Sequence, residues 1–70
     1  MRLTIPEIIN GSWKEGFTTE WEIERDPNEY DKLLLTIQRS SIPRYIYDAM
    51  ETYIMRTMAE NYPEVNLAWV

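Results

Sequence analysis

From residue 42 onward, apolar side chains return every three or four positions: Ile42, Ile46, Ala49, Met50, Tyr53 and Thr57. That period belongs to one buried stripe of an α-helix. Ser41 can cap the first turn, Pro43 fits there because its missing N–H is not needed, and Asn61-Tyr62-Pro63 stops the run. The spacing predicts a helix over 42–61. Counted at about 100° per residue from Ile42, a second apolar seam of Tyr47, Ile54 and Met58 lies beside the first. Tyr47, Met50, Ile54 and Met58 together read as a soft surface suited to a homodimer or a partner's groove, unless the N-terminal segment or Trp69 covers it within the same chain.

Ahead of the helix the period changes from 3.6 to 2. The stretches 17–25 and 32–39 alternate bulky apolar with polar residues, and Asp26-Pro27-Asn28 between them has turn chemistry, with proline presetting φ and Asp26 able to bond the turn's own backbone. Two antiparallel strands follow. Pairing Trp21 with Ile37, Ile23 with Leu35 and Arg25 with Leu33 puts the bulky side chains on one face. The other face then carries Glu20, Glu22 and Glu24 beside Gln38, Thr36 and Leu34, whereas a one-residue slip would set Glu22 against Leu35.

The first fifteen residues admit two readings. Asn10-Gly11 fits a type I′ hairpin turn that sets Ile8 across from Trp13 and Glu7 across from Lys14. Alternatively, Thr4-Ile5-Pro6-Glu7 is a capping box opening a short helical turn. The hairpin is the favoured of the two, with Pro6 confining that strand to an edge. After Pro63, residues 65–70 read as a short last strand or a docking tail. The expected fold is a single α+β domain over 1–70: a small antiparallel sheet of three strands, or four with the tail, whose apolar face of Trp21, Ile23, Leu33, Leu35 and Ile37 packs on the long helix.

Composition narrows the chemistry more than the shape. The 70 residues contain neither Cys nor His, which removes disulfides, thiolate or imidazole catalysis and the usual zinc and haem ligands. Ser12, Ser40 and Ser41 have no activating base at a suitable spacing, and Asp26, Asn28 and Asp31 miss the calcium-loop pattern because its glycine and its final glutamate positions are Asp31 and Ile37. No catalytic residue, metal ligand or cofactor is expected, and the chain is read as a non-enzyme. No long apolar run marks a membrane span or a leader, so the cytoplasm is the expected location.

Charge is what remains, and it is unevenly placed. The chain carries −5, yet the segment from Glu15 to Asp31 alone carries −6, with seven acids against Arg25. On a strand, Glu20, Glu22 and Glu24 recur about every 6.6 to 6.8 Å, roughly half the charge density of one DNA strand along its axis. Direct nucleic-acid binding is disfavoured, although Arg39, Arg44 and Arg56 could make a small basic edge. The expected partner is a protein with a basic surface, held by Glu20, Glu22, Glu24, Asp26, Glu29, Tyr30, Asp31 and Leu34. The module would act by surface occupation, as small acidic inhibitors do, including viral ones that block nucleic-acid-binding complexes. The competing expectation is a homo-oligomeric assembly subunit built on the helix seam.

Overall fold

A computed structural model describes residues 2–10 and 18–70. Among these described residues, five α or β elements follow in chain order: α1 (Ile5–Asn10), β1 (Trp21–Arg25), β2 (Leu33–Ile37), α2 (Tyr47–Asn61) and β3 (Val65–Trp69). β1 and β2 form the hairpin in the expected register, with Trp21 opposite Ile37, Glu22 opposite Thr36, Ile23 opposite Leu35 and Glu24 opposite Leu34. Alternation enforces this pairing, because only one phase turns Leu35 and Ile37 into the core, where both are fully buried.

The third strand is the C-terminal one, and it runs parallel to β2, with Leu33 opposite Val65 and Ile37 opposite Trp69. The expected all-antiparallel sheet is therefore mixed, in the order β1-β2-β3. The long helix is the reason. A chain that leaves β2, crosses the sheet on α2 and turns at Tyr62-Pro63 returns at the end where β2 began, and a strand laid down from there runs in the same direction.

The favoured N-terminal hairpin is replaced by its alternative. The Thr4 N–H donates to Glu7 Oε1 at 2.8 Å and the Glu7 N–H donates to Thr4 Oγ1 at 3.3 Å, a reciprocal capping box that satisfies two donors at the start of α1. This box also holds the Glu7 carboxyl below its ordinary pKa, chiefly through the Thr4 backbone N–H. The proposed turn partners Gly11, Trp13 and Lys14, like Phe17 at the head of the first strand run, lie outside the described residues.

The long helix starts five residues later than its apolar period suggests. Ile42 precedes a proline and is extended at φ −106°, ψ 127°, as the clash with the proline ring demands. Two 3₁₀ turns, Arg39–Ser41 and Arg44–Ile46, flank that break. Ser41 caps nothing: its hydroxyl donates to the Gln38 carbonyl at 2.6 Å and accepts from the Glu20 N–H at 2.9 Å, tying β1 to the start of the crossover.

That late start rotates the helix. The angular count from Ile42 fails because residues 42–46 are not α-helical, so Ala49 is exposed and the buried stripe is Met50, Ile54, Thr57 and Met58. α1 packs against α2 and contributes Ile8 and Ile9 to one core with Leu35, Ile37, Ile42, Met50, Ile54, Met58 and Val65. The residues before α1 are clamped to the far end of α2. The Tyr62 hydroxyl donates to the Leu3 carbonyl at 2.6 Å, the Leu3 N–H donates to Asn61 Oδ1 at 3.1 Å, and Arg2 pairs with Glu64 while its guanidinium lies 3.9 Å from the Tyr62 ring centre.

Candidate functional site

Both helices lie on one side of the sheet, and among the described residues no helix covers the other side. Even-numbered residues of β1 and β2 point there, which gathers Glu22 and Glu24, both exposed, beside half-buried Thr36 and Leu34. Glu20 extends the row, its carbonyl accepting from the Gln38 N–H at 2.8 Å. A shallow hollow of about 220 Å³ lies among Glu20, Trp21, Glu22, Thr36 and Gln38. The register partners of Glu22 and Glu24, Thr36 and Leu34, are neutral, as is Gln38 beside Glu20, and the single ion pair among the described residues, Arg2 with Glu64, lies elsewhere. Among the described residues, the row thus meets no cation across the strand pair. Among the described residues of the hairpin, Lys32 is the one cation that shares the parity of this face, and it acts on Asp26 at the tip.

The hairpin tip divides the expected contact residues into two groups. Tyr30 is 82% exposed and Asp31 is exposed beside it, so both are free to meet a partner. Asp26 is only 6% exposed. Its Oδ1 accepts the Asn28 N–H at 2.7 Å and the Glu29 N–H at 3.3 Å, the local bonds that its position before Pro27 suggests. Its Oδ2 accepts from Asn66 Nδ2 at 2.8 Å, and the same nitrogen donates to Glu29 Oε2 at 2.6 Å. Asp26 therefore holds the turn and ties the tip to β3, and Glu29 shares that tie. Asn66 is the residue that a reading of the hairpin alone misses, because it arrives from the far end of the chain.

The Asn66 amide first, and then the Asn28 N–H, hold the Asp26 carboxyl below its ordinary pKa. A carboxyl whose folded value is depressed adds stability above its unfolded pKa and loses it as the pH falls through the folded value. Urea midpoints measured from about pH 5 to pH 2 should therefore decline, and Asp26→Asn should flatten part of that decline. An unchanged slope in the variant would mean that the tie contributes nothing.

The residues expected as an oligomer seam are placed differently. Met50, Ile54 and Met58 are buried inside the chain, and Tyr47 is half-buried with its ring edge-on to Trp69 at 6.0 Å. The Tyr47 hydroxyl donates to Glu51 Oε2 at 2.9 Å, and burial, reinforced by Glu51, raises its pKa. The chain's own α1 and Trp69 occupy the surface that a partner was expected to take. At that end a cleft of about 590 Å³ is lined by Arg39, Ser40, Ile42, Arg44, Tyr47 and Asp48, so two of the three arginines of the expected basic edge sit together and Arg56 stands apart.

No helix among the described residues is long and apolar enough to cross a membrane. Comparison with family models, with curated proteins and with solved structures finds no match to this chain.

Proposed function

We propose that the chain is a non-enzymatic binding module that occupies a basic surface of a protein partner through its bare sheet face, in the manner of an inhibitor. The observation that supports this reading is the row Glu20, Glu22 and Glu24 on the helix-free side, with neutral residues opposite each. Solvated carboxylates at strand spacing raise the local negative potential and steer a basic partner. Tyr30, projecting from the tip beside Asp31, supplies the aromatic anchor that charge alone lacks. A partner site that grips nucleic-acid phosphates fits this face in part, since every second phosphate of a strand would find a carboxylate.

Reversing Glu22, Glu24 and Asp31 to lysine changes the charge by two at each position and takes the chain from −5 to +1. All three are exposed and bond no other described side chain, so the far-UV circular dichroism should stay the same. Capture of basic proteins at low salt should be abolished by the triple variant. With the unaltered chain, the association rate should fall as ionic strength rises. Undiminished capture by the variant removes the reading.

A further inference from the structure

The two edges of the sheet are not alike. β1 carries Glu22, Glu24 and Arg25, charges of the kind that keep an edge strand from pairing with another chain. β3, with the sequence Val-Asn-Leu-Ala-Trp, has no charge and no proline. The bonds at the ends of the β2–β3 ladder fix which way its backbone faces. The Leu33 N–H donates to the Glu64 carbonyl and the Val70 N–H donates to the Ile37 carbonyl, so in a parallel pair the even residues Asn66 and Ala68 turn their backbone groups toward β2. Val65, Leu67 and Trp69 turn theirs away. The Val65 N–H is taken by the Tyr62 carbonyl at 3.0 Å, but the N–H and C=O of Leu67 and Trp69 have no backbone partner among the described residues. Beside this edge lies an apolar groove of about 340 Å³, lined chiefly by Met55, Met58, Ala59, Tyr62 and Leu67, with Met55 51% exposed.

We propose that the β3 edge pairs antiparallel with the β3 edge of a second copy, making a continuous six-stranded sheet about a two-fold axis at Leu67. The strand is complementary to itself in that register. Leu67 faces Leu67 of the second copy, Val65 faces Trp69, and Asn66 faces Ala68, so outward backbone groups meet outward backbone groups and no like charges are opposed. Of the acids that adjoin or bond this strand, Glu64 is held by Arg2 and both Asp26 and Glu29 by Asn66. The same operation on β1 would crowd glutamates against glutamates, so only one edge of this sheet accepts its own kind.

A dimer of ordinary strength buries about 800 Å² per copy, roughly a sixth of the 4949 Å² exposed here. A five-residue edge falls short of that, so the Met55 groove must close against its symmetry mate as well. Such an interface also answers the shortage of core in a chain of this length without disulfides. The β1 ridge stays free at the outer margins, so the pairing does not depend on the reading of the acidic face.

Sedimentation of the full chain from low to several hundred micromolar should show a monomer–dimer equilibrium with a dissociation constant in the micromolar range. A chemically synthesised chain with an N-methyl group on the Leu67 amide loses only an outward N–H and should weaken the dimer at least about tenfold. Met55→Lys, at an exposed position that leaves the core untouched, should weaken it comparably, while Glu22→Lys on the opposite edge should not. A strict monomer throughout that range overturns the proposal. So does a dimer indifferent to both the N-methyl group and Met55→Lys, because it would use another surface.

Discussion

Ile54→Ala should cost about 2 to 5 kcal/mol, the range for emptying a fully buried aliphatic site that cannot collapse around the missing atoms. Ile54 has no exposure, sits on the middle turn of α2 and belongs to the core that α1, α2 and the sheet share. The total stability of a 70-residue domain is on the order of 4 to 10 kcal/mol, so this one substitution removes a large part of it. The urea midpoint should drop at unchanged slope. The loss should also be the same at low and high protein concentration, because Ile54 is covered by its own chain. A seam covered by a second copy would instead make the loss depend on concentration. A cost below about 0.5 kcal/mol, the level of an ordinary surface substitution, would place Ile54 outside the core.

Replacing Ile8 and Ile9 together with alanine should leave the chain largely unfolded at 25 °C. Each side chain is fully buried, each deletion costs about 2 to 5 kcal/mol, and their sum reaches the whole margin of a domain this small. The expected readout is loss of near-ultraviolet circular dichroism and of cooperative unfolding. Thr4→Ala is the control. It breaks the capping box but removes no core atoms, so it should cost only about 1 kcal/mol. If the double variant folds with near-native stability, α1 is an appendage and the core closes without it.

These two residues also show what the chain made legible and what it hid. The hairpin register could be read from alternation alone, since any slip sends glutamates into the core, and β1 and β2 pair accordingly. The segment before residue 11 could not, because Thr4 to Glu7 suits a helix start while Asn10-Gly11 suits a strand turn. The choice was made by tertiary packing: Ile8 and Ile9 are adjacent, and a strand would send them to opposite faces, whereas a single turn of helix buries both. The rotation of α2 was hidden by Pro43, whose effect on Ile42 breaks the helical phase that the apolar period seemed to carry. At the candidate site, the glutamate row followed from the strand pattern. The role of Asp26 did not, since the amide that occupies its second oxygen comes from Asn66, forty positions along.

The order of assembly is implied by the mixed sheet. β1 and β2 are joined by a seven-residue connection, whereas β2 and β3 are separated by 27 residues, most of them in the crossover helix. Closing the longer span costs about 1 kcal/mol more in chain entropy, and that cost comes before Val65 can pair with Leu33 or Asn66 can reach Asp26. The hairpin is thus the local nucleus and β3 the late arrival, so a change in β3 should register mainly in how fast the protein comes apart and a change in the hairpin in how fast it forms.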